Sequence, residues 1–297
     1  MNTEKEKKAI KYLRTFEPKE EPYYLCYSGG KDSDTIKILA ELAGVNFEAV
    51  HNLTTVDAPE TVQYVKSQKD IKISRPERTM WELIVDKQTP PTRLIRYCCA
   101  ELKEQGGKWR VKVTGVRWAE SSKRKENGGL VKIIGKPKTM QKMAEESELD
   151  YRVTKLNGLV LNDDNDKSRR FVEQCYRTTS TMVNPIIDWT DDDVWEFLKH
   201  YGCKCNPLYE CGYNRIGCIG CPMAPYHQRT DQFRRYPKYR QNYVRAFDRM
   251  LKERKRFGKN DSTWTDGEAV MRWWLGEDPM QINMDDYLDL AKRWITL

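Results

Sequence analysis

Short apolar runs alternate with helix-like patterns through the first 115 residues. Tyr23–Tyr27 is a continuous apolar run of a length typical of a buried strand. Ile36, Leu39 and Ala43 then recur at helical spacing up to Gly44, a residue type that commonly ends helices. The same reasoning predicts further helices over residues 1–16 and 59–67, and further strands over residues 47–50, 71–73 and 110–114. Strands that alternate with helices predict an α/β fold with a doubly wound, mostly parallel sheet.

The pattern changes between about residue 120 and residue 184. This stretch is charged and contains Gly128, Gly129 and a polar run over residues 162–166. Such a composition is typical of loops with short strands, and we expect mobile segments in this insert. After the insert, Thr190 is a candidate N-cap for another helix.

The C-terminal part of the chain is predicted to be helical. An apolar stripe at helical spacing runs from Tyr239 to Met250, and Thr265 begins a sequence of capping-box form ahead of a further helix. We therefore predict a domain over residues 1–225, which contains the insert, and a basic helical region over residues 226–297.

The composition is that of a folded, soluble protein. The 297 residues are 39% hydrophobic and 32% charged, and 11% of them are aromatic, which argues against a disordered chain. No apolar run approaches the roughly 18 residues that a membrane helix needs, and the first residues lack the apolar segment of a secretory signal. We expect a cytoplasmic protein that does not enter a membrane. The sequence does not indicate its oligomeric state.

Positive charge is concentrated near the C-terminal end. The chain carries 52 Lys and Arg against 44 Asp and Glu, whereas residues 229–259 alone contain twelve Lys and Arg against three Asp and Glu. Such a block suits a polyanionic partner, although a solvated helix face has the same composition. The interleaved rings of Phe233, Tyr236, Tyr239 and Tyr243 would stack on bases or, at helical spacing, belong to a core. The candidate nucleic-acid contacts are Arg234, Arg235, Lys238, Arg240 and Arg245.

The sharpest local motif joins the strand and the helix near the start of the chain. It consists of Ser28, Gly29, Gly30, Lys31, Asp32 and Ser33. Two glycines permit a tight turn and a close backbone approach to a ligand, and the N–H groups that begin a helix attract anions. The two hydroxyls and the Lys31 ammonium would add donors, while Asp32 would help to hold Mg²⁺ or orient the loop. The motif matches neither G-x-x-x-x-G-K-S/T nor G-x-G-x-x-G. It predicts a phosphate-binding loop, and an ordinary turn is the plainer alternative.

This loop resembles the pyrophosphate loop of the N-type ATP pyrophosphatases and of the phosphoadenosine phosphosulfate (PAPS) reductase family. Three further stretches are similar to motifs of that family, and the likeness extends over about residues 22–225. They lie at residues 54–61, 115–124 and 184–195, and Asn206-Pro207-Leu208-Tyr209 follows them as in the family. The resemblance implies an adenine nucleotide, such as ATP, bound by the loop together with Asp57, Gly115 and Arg117.

Four cysteines provide the thiolates that a [4Fe-4S] cluster needs. They are the adjacent Cys98 and Cys99 and the C-x-x-C pair Cys218 and Cys221. Adjacent cysteines are poor ligands for one tetrahedral Zn²⁺, because their side chains diverge. The pattern resembles the cluster-binding subset of PAPS reductase relatives, including the adenylylsulfate reductases. Purely structural thiols remain one alternative. The other is a zinc site drawn from Cys203, Cys205, Cys211, Cys218 and Cys221.

The resemblance implies one of two reactions. In a sulfonucleotide reductase, a cysteine of a C-terminal Glu-Cys-Gly motif attacks the sulfur of an adenylated sulfate, and a thiol carrier releases sulfite. This sequence has no cysteine after Cys221, and its Glu210-Cys211-Gly212 precedes the C-x-x-C pair. We therefore expect the second reaction, in which the loop and Mg²⁺ bind ATP, an acceptor oxygen attacks the α-phosphate, and a sulfur nucleophile displaces AMP.

The catalytic groups expected for this reaction are Lys31, Asp32 and Arg117, through positioning and charge stabilisation. Similar enzymes modify tRNA bases or, in the relatives of the DNA phosphorothioation sulfurtransferases, the DNA backbone. The basic block therefore fits a nucleic-acid acceptor, and a sulfur-donor protein would be a further partner. A third hypothesis is a non-catalytic nucleotide-binding iron–sulfur module.

Overall fold

The computed structural model describes residues 3–155, 158–259 and 264–277. Two parts of the predicted C-terminal region, residues 260–263 and 278–297, lie outside the described residues.

The chain divides into two compact units. The first comprises the residues up to Leu53, Asp57–Arg75 and Gln105–Gly217. The second comprises Thr54–Val56, Pro76–Glu104 and the residues from Cys218 onward. The motif-based division at residue 225 remains a prediction about domains.

Eight strands form one sheet in the described part of the first unit. They are β1 (Tyr23–Cys26), β2 (Phe47–Asn52), β3 (Ile71–Ser74), β4 (Val111–Val113), β5 (Val131–Ile134), β6 (Tyr151–Val153), β7 (Leu159–Leu161) and β8 (Ser180–Val183). Their order is β3-β2-β1-β4-β8-β5-β7-β6. The first five strands in this order pair in parallel, and β5, β7 and β6 are added antiparallel. The predicted α/β fold with a mostly parallel sheet is confirmed.

The described residues contain twelve α-helices. They are α1 (Thr3–Thr15), α2 (Lys31–Ala43), α3 (Pro59–Ser67), α4 (Met80–Lys87), α5 (Tyr97–Leu102), α6 (Ser122–Asn127), α7 (Pro137–Glu146), α8 (Asp166–Cys175), α9 (Asp191–His200), α10 (Tyr226–Arg235), α11 (Pro237–Arg256) and α12 (Gly267–Leu275). Two 3₁₀ turns cover Trp118–Glu120 and Pro207–Tyr209. The second unit contains α4, α5 and α10–α12 and no strand within its described residues.

Several predicted helix ends have the expected local chemistry. Gly44 ends α2 with a φ of 66°, in the left-handed region that favours glycine. Pro59 is the first residue of α3, where its missing N–H costs nothing. Thr190 caps α9 by accepting from the Asp193 N–H, and the Asp193 carboxylate accepts from the Thr190 N–H at 2.7 Å. These residues place the start of α9 beside the carboxylates described below.

The helix α12 begins one residue later than the predicted capping box implies. Its N-cap is Asp266 and not Thr265, because an Asp266 carboxylate oxygen accepts from the Ala269 N–H at 2.8 Å. The capping-box interpretation of Thr265 and Glu268 is therefore wrong, although the helix itself is present.

The insert over residues 120–184 contains far more regular structure than the predicted loops with short strands. Three helices and four strands lie within it, and β5 and β8 are paired inside the sheet. Its polar run ends in Asn165, which caps α8 by accepting from the Ser168 N–H at 2.9 Å. Phe171, Val172 and Cys175 on α8 are buried in the core of the first unit. Residues that looked like a long loop are thus the polar start of an amphipathic helix.

The second unit has an aromatic core. The predicted stripe on α11 is confirmed, since Tyr243, Phe247 and Met250 are buried. The Tyr243 ring lies 4.8 Å from the Trp274 ring and 5.6 Å from the Phe233 ring, between centroids. Phe233, Tyr236 and Tyr243 are therefore core residues, and the hypothesis that they stack on bases is wrong for these three rings, whereas Tyr239 is half-buried.

None of the helices in the described ranges has the length and apolar character needed to cross a membrane.

We expect Phe171→Ala to lower the free energy of unfolding by about 3–5 kcal/mol, because it removes a ring that is 1% exposed. Denaturant unfolding measures this change. The neighbouring exposed Arg170→Ala should stay within about 0.5 kcal/mol of the parent. Equal stability of the two variants would contradict the placement of α8 in the core.

Candidate functional site

The loop over residues 28–33 lies between β1 and α2, as predicted. Gly29 has a φ of 77°, and a Cβ there would lie 3.0 Å from the Val65 side chain, so both conformation and space favour glycine. Gly30 is the N-cap of α2. Its N–H donates to Ser33 Oγ at 3.1 Å, and this hydroxyl donates to the Gly30 carbonyl at 2.7 Å. These contacts fix a turn that presents the N-terminus of a 13-residue helix, where an anion is attracted.

The 3₁₀ turn at Pro207–Tyr209 supports this loop. Asn206 Nδ2 donates to the Gly29 carbonyl at 3.0 Å, and the Tyr209 hydroxyl accepts from the Lys31 N–H at 2.8 Å. The hydroxyl therefore lies where an anion at this helix N-terminus would bind. The sequence analysis noted these residues as family-like but gave them no role.

Two cations and two carboxylates form a network beside the loop. The Arg117 guanidinium is 2% exposed and donates to Asp32 Oδ1 through Nε and to Asp191 Oδ1 through Nη2, both at 2.7 Å. The Lys31 ammonium lies 3.3 Å from Asp191 Oδ1 and 4.0 Å from Asp32 Oδ2. The structure thus brings together Lys31, Asp32 and Arg117, the three predicted catalytic residues.

The two carboxylates differ in their environment. Burial raises the pKa of Asp32, although Arg117 and Lys31 pull it down. Burial would also raise the pKa of Asp191, but the hydrogen bond from Arg117 and the charge of Lys31 hold it below its usual range. Asp191 is the more exposed of the two, with 66% of its side chain accessible. An incoming phosphate would compete with Asp191 for both cations.

The other predicted nucleotide-binding residues lie in the same unit. Gly115 follows β4, and a Cβ there would lie 2.9 Å from Asp32 Cβ, so a glycine allows the strand end to approach α2. Asp57 is 8% exposed and lies between β2 and α3. A nucleotide contact for Asp57 remains a prediction.

Asp191 is a site residue that the sequence analysis missed. It is one of three consecutive aspartates, Asp191–Asp193, at the start of α9. Acidic residues are common at this end of a helix because they oppose its dipole, so they carry no functional signal by themselves. Only the fold, which brings Arg117 to within 2.7 Å of Asp191, identifies the residue.

The four cysteines proposed for a cluster all lie in the second unit. Cys98 and Cys99 are consecutive on α5, and the Cys221 N–H donates to the Cys218 carbonyl at 3.2 Å. The pKa of Cys98 is raised by its hydrogen bond with Cys99, by burial, and by the nearby thiols of Cys218 and Cys221. The pKa of Cys99 is lowered by the hydrogen bond with Cys98 and by Arg96, whose Nη2 lies 3.3 Å from Cys99 Sγ. The four thiols therefore share one environment next to a cation.

The spacing of these thiols is compatible with a cluster. The described residues contain one group whose potential ligand atoms all lie within 4.8 Å of one another, and these four cysteines are not that group. A four-iron cubane separates its cysteine sulfurs more widely than one ion does. Gly220, between Cys218 and Cys221, has a φ of 72°, and a Cβ there would lie 2.5 Å from the Phe233 ring. The zinc alternative would take Cys203, Cys205 and Cys211 from the other unit.

The predicted nucleic-acid contacts differ in their availability. Arg234, Arg235, Lys238 and Arg245 are exposed on α10 and α11, although Arg234 also contacts Asp231 at 3.1 Å and Arg235 lies over the Tyr236 ring. Arg240 instead donates to both carboxylate oxygens of Glu268, at 2.8 and 2.7 Å, and so joins α11 to α12. Exposed cations of this kind suit phosphate contacts.

Comparisons of sequence place these motifs among known proteins. Residues 22–224 match the model of the phosphoadenosine phosphosulfate reductase domain. An uncharacterized protein of Methanocaldococcus jannaschii is 24% identical over 265 residues, which are 86% of this chain and 54% of that protein. The adenosine 5'-phosphosulfate reductase of Allochromatium vinosum is 43% identical over 42 residues, which are 14% of this chain and 16% of that enzyme. The chain thus spans about half, or less, of the length of these curated relatives.

Two solved structures are similar at low sequence identity. The PAPS reductase of Candida auris, in complex with phosphate, is 13% identical with a TM-score of 0.42, over 71% of this chain and 87% of that one. The U34-tRNA thiolase of Methanococcus maripaludis, with its [4Fe-4S] cluster, is 11% identical with a TM-score of 0.38, over 88% of this chain and 80% of that one.

We expect Gly115→Ala to weaken the binding of Mg²⁺-ATP about 10- to 100-fold, because a Cβ 2.9 Å from Asp32 Cβ forces the first turn of α2 to move. Titration calorimetry measures this affinity. Gly217→Ala is the matched control, since a Cβ there meets nothing within 4 Å. Unchanged affinity in Gly115→Ala would show that this close approach does not shape the binding site.

Proposed function

This chain belongs to the phosphoadenosine phosphosulfate reductase family, and we propose that it uses ATP to activate an oxygen of a nucleic acid for replacement by sulfur. The observation that carries the proposal is the position of Lys31 and Arg117. Both cations are buried beside the glycine turn at the N-terminus of α2, and both share the exposed Asp191 carboxylate. A polyphosphate could bind here by replacing the Asp191 carboxylate as the partner of both cations.

ATP would bind with its β- and γ-phosphates at residues 28–33. Backbone N–H groups at the start of α2 and the Ser28 hydroxyl would donate to phosphate oxygens. The side chains of Lys31 and Arg117 would turn from Asp191 to the phosphates, because the phosphates carry more negative charge than one carboxylate. Mg²⁺ binds through phosphates and one or two carboxylates, and Asp32 would supply one of these.

The proposed reaction balances without an oxidant or a reductant. The acceptor oxygen forms a bond to the α-phosphorus, the bond from that phosphorus to the bridging oxygen breaks, and pyrophosphate leaves. Hydrosulfide, or a sulfur-donor protein that delivers sulfur at the same oxidation level, then forms a bond to the atom that bears the activated oxygen. AMP departs with that oxygen. Lys31 and Arg117 would stabilise the negative charge that develops on the phosphates in the first step.

Cys98, Cys99, Cys218 and Cys221 would hold a [4Fe-4S] cluster in the second unit. When bound, the cluster would supply iron and sulfide to the chemistry of sulfur delivery. Arg96 would offset part of the negative charge of the four thiolates through its contact with Cys99 Sγ.

The acceptor class is inferred from charge. Arg234, Arg235, Lys238 and Arg245 are exposed and would neutralise phosphates of DNA or RNA. The buried rings between them do not contribute, so the contact would be to the backbone rather than to bases.

Sulfonucleotide reduction is the second candidate, because Cys211 is exposed and lies two residues beyond Tyr209. In that reaction the Cys211 thiolate would attack the sulfur of adenylylsulfate or PAPS. A cysteine S-sulfonate would form, and the nucleotide would leave. A dithiol carrier would then reduce the S-sulfonate to the thiol, release sulfite and become a disulfide.

We expect anaerobically purified protein with Mg²⁺-ATP, hydrosulfide and tRNA or duplex DNA to form AMP and pyrophosphate in equal amounts. Lys31→Ala should lower this rate about 10²- to 10³-fold, since it removes a donor to the developing charge. Chromatography of the nucleotides together with a pyrophosphate assay measures both products. Lys66→Ala, which changes an exposed lysine of α3, should have the parent rate.

The same protein separates the two candidates. Absence of AMP and pyrophosphate with both acceptors would refute the ATP-dependent reaction. Sulfite release from adenylylsulfate or PAPS with a dithiol carrier, abolished in Cys211→Ser, would establish the reductase in its place.

The cluster can be tested separately from the reaction. Anaerobically purified protein should be brown and contain about four irons per chain. Cys98→Ser and Cys221→Ser should remove the colour and the iron, because each removes a ligand. Cys26→Ser and Cys175→Ser should keep both, since Cys26 lies in β1 and Cys175 in the core of the first unit. Iron that survives in Cys98→Ser and Cys221→Ser would contradict the ligand assignment.

A further inference from the structure

A second group of potential metal ligands lies in the first unit. A carboxylate oxygen of Asp34 and the sulfurs of Cys203 and Cys205 all lie within 4.8 Å of one another. Asp34 belongs to the start of α2, whereas the two cysteines follow α9. Three potential ligands from two distant parts of the sequence thus converge at one point.

The hydroxyls of Tyr27 and Tyr64 lie beside the Asp34 carboxylate, and one of its oxygens still lacks a partner. The Asp34 side chain is 3% exposed, and Oδ1 accepts a hydrogen bond from the Tyr27 hydroxyl at 2.5 Å. Oδ2 is buried and has no hydrogen-bond partner in the described structure. A buried carboxylate oxygen without a partner is costly.

Lys37, on the same helix, does not fill this need. Its ammonium lies 2.5 Å from Glu41 Oε1 and 2.7 Å from Asp70 Oδ2, so it is already bound by two carboxylates. A cation bound by the two thiols would also give this Asp34 oxygen the partner that it lacks.

We propose that Asp34, Cys203 and Cys205 bind one divalent metal ion of the thiolate-preferring class, with Zn²⁺ as its representative. Two sulfurs and one carboxylate oxygen are ligands that Zn²⁺ takes, and water would complete a tetrahedron. With Zn–S bonds of about 2.3 Å, sulfurs in a tetrahedron stand about 3.8 Å apart. Rotations of the side chains would bring the present spacing, which is at most 4.8 Å, to this value.

The position of this ion gives it a structural role. Asn206 directly follows Cys205 and donates to the Gly29 carbonyl, and Tyr209 accepts from the Lys31 N–H. An ion between Asp34 and the two cysteines would fasten the segment that carries Asn206 and Tyr209 to the helix that begins at the phosphate loop. The site is separate from the four cysteines of the second unit, and it does not use Cys211.

Metal analysis of the anaerobically purified full chain tests the proposal. We expect about one zinc per chain, retained in Cys98→Ser after that variant has lost its iron. Cys203→Ser and Asp34→Asn should lower zinc affinity at least about 100-fold, the upper range for loss of a supporting contact alone. Cys211→Ser changes an exposed cysteine of the same segment and should keep the zinc. Zinc that is absent from the parent, or that persists in both Cys203→Ser and Asp34→Asn, would overturn the site.

A second measurement needs no variant and so does not depend on whether the variants fold. Chelator-treated parent protein titrated with Co²⁺ should bind it in place of zinc and show thiolate-to-cobalt charge-transfer absorption. X-ray absorption of the zinc form should show two sulfurs at about 2.3 Å together with oxygen. Four sulfurs around zinc, no sulfur at all, or a Cys203–Cys205 disulfide in anaerobic protein would each refute the assignment. None of these readouts depends on turnover of ATP, so they stand apart from the proposed reaction.

Discussion

The site depends on one buried guanidinium. Arg117 is 2% exposed, and a cation so far from water is tolerated only when it is paired. Its two carboxylate partners lie on different elements, Asp32 in the first turn of α2 and Asp191 in the first turn of α9. The ion pairs therefore hold two helix N-termini next to the segment that follows β4. Loss of either carboxylate would leave Arg117 with one charged partner and would release one of the two helix N-termini from it.

Local signals account for the part of the fold that the sequence predicts. The elements from β1 to α3 are periodic and are bounded by Gly30, Gly44 and Pro59, whose conformational preferences are properties of single residues. The insert could not be predicted in the same way. Its strands β6 and β7 have three residues each, which is too short for an alternating pattern to be recognised. Asn165 caps α8 within a polar run that is equally typical of a loop.

In the candidate site, too, the contiguous part could be predicted from the sequence and the long-range contacts could not. The loop over residues 28–33 is contiguous, so its sequence was sufficient to predict it. The contacts of Arg117 with Asp191 and of Lys31 with Tyr209 join residues 74 and 178 positions apart, and no local pattern reports such pairs. Spacing alone also could not decide between a core and a stacking surface for Phe233 and Tyr243, because both uses repeat at helical intervals. The packing of these rings against Trp274 decided it.

The hydroxyl of Tyr209 has a consequence for selectivity. Because this hydroxyl accepts from the Lys31 N–H, that donor already has a partner within the protein. A ligand that binds at the Lys31 N–H must compete with the Tyr209 hydroxyl for this donor, and a neutral ligand competes weakly. A polyanion is drawn by the helix dipole and two cations together. In the proposed phosphate complex, a highly charged ligand would displace the Tyr209 hydroxyl from the Lys31 N–H more readily than a neutral ligand would.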